Sequence, residues 1–444
     1  MTGYTKISKR NIRMTLVLPL ICGFGVFILC ILLLQGCTLI QPKEKIDGSL
    51  SGRARVLDAL DPSDICVNVA GRSGLLSTAL PSSRLSLCNP LRELDPDGSH
   101  GGRPFSMTLS DNTIVGGVFF EYNDGTSNPK PLLMASFGFL QDRWGTEAAK
   151  FYSLYLKDPN DRIPAHVLIL DHPSSGPFLA KNTYLSVGSY DDARMWIEIA
   201  QRFRNDLALS RIHLFGVSMS GQTVVHALIE DQRLGLNLFA SGIAVSIAPD
   251  FHRAPGKQLA QLKTPKGVEN PWAEYFHTVP EKTFVDMIQR QGVWMLVKEQ
   301  FIPHYRLAGP ADKAFALRSK DMAVFFRQAF ENRIIYLRDH RAESWNSNFS
   351  LEDLNAFMTS TRIAGVIGRV HTPLVLVSAY DDPAVQRNMF QEVASAVGDN
   401  SWIAAFETEQ GGHFGFNLPY GKDYLGRVMR LMMDPQVLQS WNSR

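Results

Sequence analysis

The stretch Arg211–Gly221, RIHLFGVSMSG, combines a strand, a tight turn and the start of a helix. Its first half is apolar and strand-like, and after Gly221 apolar residues recur every three to four positions, as in a helix. Ser218 stands in the turn between the two. A serine between small residues at a strand-to-helix turn is the pattern of a nucleophile elbow. The sequence therefore predicts a reactive hydroxyl held above the edge of a sheet.

Small residues on both sides of Ser218 fit this interpretation, because side chains two positions before and after the serine of such a sharp turn collide unless they are small. Those positions hold Gly216 and Ser220. The pattern is therefore G-x-S-x-S rather than G-x-S-x-G, and taken alone it is equally compatible with an ordinary strand-to-helix turn. In an elbow, the backbone N–H of Met219 and the N-terminus of the helix face a developing oxyanion.

Strand-like and helical patterns alternate on both sides of this stretch. The predicted strands are an antiparallel hairpin over 105–110 and 113–122, followed by 131–137, 165–170, 240–248, 373–378 and 402–406. The predicted helices include 147–156, 189–206, 351–363, 384–396 and 424–433. This alternation predicts an α/β fold with a mostly parallel central sheet flanked by helices.

Two segments break the alternation. Residues 37–104 are polar and then rich in Ser, Pro, Gly and Asp, which indicates a tether and an irregular N-terminal segment. Residues 250–349 contain helical stretches rich in aromatic residues between two core strands, which predicts an inserted helical cap over the carboxyl edge of the sheet. The core is therefore expected in two parts, 105–249 and 350–444.

The charge distribution excludes one class of partner. The 444 residues carry a formal net charge of +2, and all four charged residues before Gly36 are basic (Lys6, Lys9, Arg10, Arg13). Without them, 41 basic residues face 43 acidic ones, a net charge of −2. Nucleic-acid binding requires a basic face, which this composition does not provide.

Residues 1–36 resemble an export signal, with a basic start and an apolar run from Met14 to Leu34. The run ends in Leu34-Gln35-Gly36-Cys37, which resembles a bacterial lipobox, so Cys37 is the expected site of lipidation. The run is also long enough to span a bilayer, and an uncleaved anchor is the alternative. Either arrangement predicts a bacterial envelope protein that is tethered to the membrane, with its core in the periplasm.

The cysteines agree with export. Besides Cys37 and the two cysteines of the apolar run, the chain contains only Cys66 and Cys88. In an oxidising compartment these two are expected to form a disulfide, and two buried thiols are the alternative.

Two turns downstream of Ser218 supply the other residue types of a catalytic triad. A carboxylate pair, Asp381 and Asp382, follows the 373–378 strand in the sequence AYDDPAV, and His413 follows the 402–406 strand in GGHFGF. An acid at the end of a strand can hold an imidazole in its working tautomer, and the glycines allow the histidine loop to fold back. Serine, acid, histidine is the chain order of the α/β-hydrolase triad.

From residue 105 to residue 433 the chain resembles an α/β-hydrolase, and its AYDDPAV and GGHFGF turns are similar to those of the YheT-like branch. The resemblance implies Ser218 as nucleophile and His413 as general base. It implies Asp382, next to the proline, as the acid that orients His413, with Asp381 as the alternative. The second oxyanion donor would be the N–H of Phe139, although the sequence has Phe137 where the family has histidine.

The remaining candidates are weaker. His172 lies in a loop, and His166, His213 and His226 lie on or beside core elements, so packed or surface histidines are expected there. No spacing of His, Cys, Asp and Glu predicts a metal site, and no phosphate-binding loop follows a strand, so no cofactor is expected.

The sequence therefore predicts a serine hydrolase acting on a small-molecule ester, with an apolar or lipidic acyl group suggested by the aromatic cap. An amidase or thioesterase with the same triad, and an inactive hydrolase fold used as a binding module, are the alternatives. The sequence does not determine the oligomeric state.

Overall fold

The computed structural model describes residues 50–61, 101–247 and 331–442, with gaps at residues 139, 140, 144, 161, 180, 183, 185, 187–189, 342–344, 383, 384, 386 and 422. The predicted export signal, most of the predicted cap and the three cysteines outside the apolar run lie outside the described residues. Within those ranges, no helix has the length and hydropathy that a membrane span requires.

The core is one sheet of eight strands. The strands are β1 (Gly102–Thr108), β2 (Ile114–Phe120), β3 (Lys130–Ser136), β4 (His166–Leu170), β5 (Leu209–Val217), β6 (Phe239–Val245), β7 (Leu374–Ala379) and β8 (Ile403–Thr408). They lie in the order β1-β2-β4-β3-β5-β6-β7-β8. Only β2 runs against its neighbours, and all pairs from β4 to β8 are parallel.

Helices cover both faces of the sheet. The described helices are α1 (Gly52–Leu60), α2 (Thr146–Tyr155), α3 (Gly176–Leu179), α4 (Tyr190–Asp206), α5 (Met219–Arg233), α6 (residues 331–341), α7 (Leu354–Ser360), α8 (Ile363–Val366), α9 (Arg387–Val397), α10 (Asn417–Tyr420), α11 (Tyr424–Met433) and α12 (Pro435–Gln439). The mostly parallel sheet and its flanking helices confirm the predicted α/β-hydrolase fold class.

The alternation of side chains along the buried strands separates two hydrophobic layers. In β3, Leu132 and Met134 face the layer that contains α4 and α5, whereas Leu133 and Ala135 face the layer that contains α2 and α11. All four side chains are fully buried. Strands covered on both faces are continuously apolar, which explains why runs such as PLLMAS read as central strands.

The segment predicted to be an irregular tether contains helix α1. Ser51 caps its N-terminus by accepting a hydrogen bond from Ala54 N–H (3.3 Å), and Val56 and Leu60 are buried against the α11 side of the core. Its docking is fixed by a hydrogen bond from Gly52 N–H to Ser440 O (2.8 Å). The sequence pattern misses this helix because it is short and its stability comes from tertiary packing.

One predicted helix, 351–363, is divided in the structure. Helix α7 ends at Ser360, and Thr361 forms its C-terminal cap before α8 begins at Ile363. The run Thr359-Ser360-Thr361 explains the break, because hydroxyl side chains compete for backbone hydrogen bonds: Thr359 Oγ1 donates to Asn355 O (2.8 Å) and Ser360 Oγ donates to Phe357 O (2.9 Å).

Candidate active site

Ser218 lies at the turn between β5 and α5, at the carboxyl edge of the sheet. Its φ of 58° and ψ of −121° are strained values for a residue other than glycine. Its N–H donates to Val245 O (2.9 Å), which fixes the turn to the neighbouring strand. A Cβ on Gly216 would lie 2.2 Å from Ser220 O, so the turn requires glycine at that position. This is the strained geometry of a nucleophile elbow.

Ser220, the residue that departs from the G-x-S-x-G pattern, has two hydrogen-bond partners at the end of β3. Its buried Oγ accepts a hydrogen bond from Gly138 N–H (2.9 Å) and donates to Ser136 Oγ (2.9 Å). The side chain therefore links the elbow to the end of β3. A glycine at this position would leave two buried polar groups without that partner.

The loop after β3 passes directly beside Ser218. Gly138 has a φ of 90°, and a Cβ on it would lie 3.0 Å from Ser218 Cβ and 3.4 Å from Met219 N. Farther along the loop, Arg143 N–H donates to Asp171 Oδ1 (2.9 Å), and the Arg143 side chain forms a buried ion pair with the same carboxylate. Phe139, the predicted second oxyanion donor, lies outside the described residues.

The Met219 N–H is at the first position of α5, where helix geometry leaves backbone N–H groups without acceptors in the same helix. The Met219 side chain is buried. Such an N–H next to a nucleophile can donate to an oxyanion, so its geometry is compatible with the predicted role.

Asp382 and His413 are in direct contact. His413 Nδ1 lies 3.0 Å from Asp382 Oδ2 and 3.2 Å from Asp382 Oδ1. Asp382 is fully buried, whereas the His413 side chain is 20% exposed. The carboxylate also accepts a hydrogen bond from Val385 N–H (3.0 Å), which holds it in place. A bond from Nδ1 to a carboxylate leaves the other ring nitrogen, Nε2, available for proton transfer.

Asp381, the alternative acid, has a different partner. Its Oδ1 accepts the N–H of Gly412 (2.8 Å) in the loop that carries His413. The two adjacent carboxylates therefore hold one loop at two points, Asp382 through the imidazole and Asp381 through the backbone. The hydrogen bond from Ser218 to His413 remains a prediction.

Burial and neighbouring charge act on the ionisation of this group of residues. Burial disfavours the imidazolium of His413, but the Asp382 carboxylate and the hydrogen bond to it outweigh burial, so the pKa of His413 lies above its ordinary value. For Asp381, burial and the nearby Asp382 charge outweigh the Gly412 hydrogen bond and raise the pKa to about 6. The contact with Asp382 thus stabilises the imidazolium that forms when His413 takes up a proton as a general base.

The loop of residues 411–416, called the His413 loop below, folds back as the glycines in the sequence predict. Gly411 has a φ of 143° and Gly412 a φ of 54°, and Gly415 N–H donates to Gly411 O (2.7 Å). Phe414 is buried, and the centroid of its ring lies 5.9 Å from that of Phe137 and 6.0 Å from that of Phe215. These contacts place the loop beside the end of β3 and beside β5, the strand that precedes Ser218.

A second Ser–His–Asp group occurs near the end of β4. His172 Nδ1 lies 2.6 Å from Ser174 Oγ, and His172 Nε2 lies 3.9 Å from Asp192 Oδ2. All three residues are at most 1% exposed. Burial lowers the pKa of His172 to about 3. A solvent-borne substrate does not reach a serine buried in this way, so this group is not a candidate site.

The other histidines have structural contacts. His213 Nδ1 lies 2.8 Å from Ser241 Oγ, and His226 Nε2 lies 2.9 Å from Thr361 O. Both rings are buried. His166 Nδ1 accepts the N–H of Tyr122 (3.1 Å). Asp250 and His252, which the sequence places just after β6, lie outside the described residues.

Sequence patterns alone did not identify Lys150, which is buried in α2 and donates a hydrogen bond to Phe414 O in the His413 loop. The signal that could have found it is its position between Ala149 and Phe151 in an otherwise apolar stretch. A lysine is rarely buried there without a specific partner.

Within the described ranges, no group of His, Cys, Asp and Glu side chains has the geometry of a metal site. No family model matches the sequence, and no curated protein matches it.

Several solved structures are similar in fold. An esterase from Pyrococcus furiosus is 14% identical, with a TM-score of 0.44 over 76% of this chain and 92% of that one. A bacterial membrane phospholipase A is 15% identical, with a TM-score of 0.41 over 80% of this chain and 96% of that one. An acylaminoacyl peptidase from Pyrococcus horikoshii is 11% identical, with a TM-score of 0.38 over 77% and 42%. These low identities carry nothing about the substrate. By its strand order and strand directions, the chain has the α/β-hydrolase fold.

Proposed function

We propose that this protein is a serine hydrolase that cleaves a carboxylic ester through an acyl-enzyme on Ser218. The observation that carries the proposal is the pairing of buried Asp382 with partly exposed His413 at 3.0 Å, at the sheet edge where Ser218 occupies a strained turn. Residues with strained backbone conformations cluster at active sites and ligand-binding sites. The three residue types also follow the chain order of an α/β-hydrolase triad.

In this mechanism, His413 Nε2 removes the proton of the Ser218 hydroxyl as the oxygen attacks the ester carbonyl. The N–H groups of Met219 and Phe139 would donate to the oxyanion of the tetrahedral intermediate. His413 then protonates the leaving alcohol, and water releases the acid in a second, equivalent step. Asp382 stabilises the imidazolium throughout, because its carboxylate contacts Nδ1.

Labelling with a fluorophosphonate probe tests the nucleophile. We expect the purified protein to be labelled by the probe, and the substitution Ser218→Ala to abolish the labelling. Ser174→Ala is the matched control, because it removes a serine that also contacts a histidine but is fully buried. Labelling that survives Ser218→Ala would remove Ser218 as the nucleophile. A protein that is folded but not labelled would favour the inactive binding module.

The proposed substrate is a small-molecule ester with an apolar acyl chain. The support is the aromatic composition of residues 250–349 and the predicted membrane tether, both of which are features of the sequence. A chain-length series of p-nitrophenyl esters should show kcat/KM rising with acyl length. Matched amide and thioester substrates test the alternative bond types, since the same triad serves all three.

We further propose that the protein is exported to the bacterial envelope and tethered there by lipidated Cys37 or by an uncleaved N-terminal anchor. We also propose that it is an exported member of the YheT-like branch, on the resemblance of its AYDDPAV and GGHFGF turns. A mass shift that is lost in Cys37→Ser would support the lipoprotein, and an intact N-terminus at Met1 would support the anchor. Peptide maps with and without reductant test the predicted Cys66–Cys88 disulfide.

A further inference from the structure

Helix α2 places a buried lysine against the His413 loop. Lys150 is 6% exposed, and its Nζ donates a hydrogen bond to Phe414 O. The same Nζ lies 4.6 Å from the centroid of the Phe414 ring. Its described anionic neighbour is Glu147, one turn earlier in α2, with 3.7 Å between Nζ and Oε2. Burial lowers the pKa of Lys150, and the nearby Glu147 carboxylate, which acts in the opposite direction, does not compensate for it.

The residue that Lys150 holds is in an unfavourable backbone conformation. Phe414 has a φ of 62°, in the left-handed region that residues with a Cβ rarely occupy. It directly follows His413 and shares a peptide plane with it, so a shift of the backbone at Phe414 also shifts the backbone that carries the imidazole. A strained residue persists only where surrounding contacts determine its conformation. The Lys150 hydrogen bond and the aromatic packing of the Phe414 ring are such contacts.

We propose that Lys150 is a positioning residue that holds the His413 loop so that the imidazole meets Asp382 and Ser218 in working geometry. The inference deepens the proposed hydrolase function and rests on it. Lys150 contacts the loop backbone and does not touch the reacting atoms. It acts together with Asp381, which holds the same loop through Gly412 N–H (2.8 Å).

Burying the Lys150 amine without a polar partner would destabilise the fold, because a charged amine loses its hydration in the core. Methionine would fill the same space with an apolar chain of similar length. The chain instead has a buried amine at this position, and that amine donates to one backbone carbonyl of the His413 loop. That carbonyl belongs to the loop that carries His413, so Lys150 links α2 to the candidate site through the loop backbone.

The test uses Lys150→Met, Lys150→Arg and Asp382→Asn, each measured by kcat and KM for a p-nitrophenyl ester and by the rate of fluorophosphonate labelling. We expect Lys150→Met to lower kcat about 100-fold with little change in KM, as for a misplacement of about 1 Å. Lys150→Arg keeps a cationic donor and should recover most of that loss. Ala149→Gly is the control, because it weakens the same helix without removing a polar contact.

The decisive measurement is the double variant Lys150→Met/Asp382→Asn. If Lys150 acts by holding His413 against Asp382, its substitution should lower kcat far less in the Asp382→Asn background than in the wild type. Additive losses, or an equal loss in Ala149→Gly at an equal melting temperature, would overturn the inference. If Lys150→Met does not fold, the same cycle is run with Lys150→Leu, which also removes the donor to Phe414 O and needs less space.

The outcomes also separate this inference from the proposed function. Wild-type protein that is not labelled at Ser218 overturns both. Wild-type protein that is labelled at Ser218, with Lys150→Met labelled at the same rate, overturns only the role of Lys150.

Discussion

Substituting each of the two adjacent carboxylates in turn gives the sharpest test of the candidate site. Asp382 contacts His413 Nδ1 at 3.0 and 3.2 Å, whereas Asp381 contacts Gly412 N–H at 2.8 Å. Asparagine is nearly isosteric with aspartate, but it removes the charge and replaces one acceptor oxygen with an NH2 donor. The pair Asp382→Asn and Asp381→Asn therefore compares the loss of one carboxylate charge at the imidazole with its loss at the backbone of the same loop.

The expected loss of kcat in each variant follows from what the substituted carboxylate contacts. Loss of the carboxylate that stabilises the imidazolium of a Ser-His-Asp triad lowers kcat by about 10⁴-fold, equivalent to about 5 kcal/mol of transition-state stabilisation. Asp381→Asn keeps an acceptor oxygen for Gly412 N–H and loses only the charge assistance, about 1–2 kcal/mol. We therefore expect a loss of about tenfold for Asp381→Asn and about a thousandfold difference between the two variants.

The assay is steady-state hydrolysis of a p-nitrophenyl ester by each variant, with melting temperatures measured in parallel. The pH profile provides a second reading. Asp382 raises the pKa of His413, so its removal should move the acid limb of kcat/KM to lower pH. A larger loss of kcat in Asp381→Asn than in Asp382→Asn would refute the assignment of the acid. Equal losses would show that the two carboxylates act as one unit.

Three further predictions concern stability. Ser220→Ala should lower the free energy of unfolding by about 1–3 kcal/mol, because Gly138 N–H loses its buried acceptor; denaturant titration measures this. Arg333→Met should lower it by about 3–5 kcal/mol, since it removes the ion-pair partner of buried Asp191, whereas exposed Arg338→Met on the same helix should change it by less than about 0.5 kcal/mol. Burial lowers the pKa of His226 to about 4, so between pH 6.5 and pH 4 the ring is neutral in the folded protein and protonated in the unfolded chain. Stability is therefore lost as the pH falls through this range, and His226→Gln should flatten that loss by about 1.4 kcal/mol per pH unit.

Each stability prediction has a result that contradicts it. A Ser220→Ala protein as stable as the wild type would mean that the Gly138 N–H finds another acceptor. Equal losses in the two arginine variants would show that burial of the ion pair is unimportant. An unchanged slope of stability between pH 6.5 and pH 4 in His226→Gln would mean that the ring is protonated in the folded state.

The sequence alone determined the strands, most of the longer helices and their order. Continuous apolar runs of four to eight residues indicate strands covered on both faces, and this signal is local. It located β3 to β8 within a few residues and placed Ser218, the acidic pair and His413 each after a strand. Because the carboxyl ends of parallel strands share one edge of a sheet, these positions alone predict a common site.

Only the tertiary structure decided which atoms meet. Asp381 and Asp382 are chemically identical neighbours, and the sequence cannot tell which one faces the imidazole, because that depends on the path of a loop folded back from residue 411. The partners of Ser220 and Lys150 lie 82 and 264 residues away in the chain. No local pattern encodes such distances. Hydrogen bonds are made over about 3 Å, so their partners are fixed only when packing brings distant segments together.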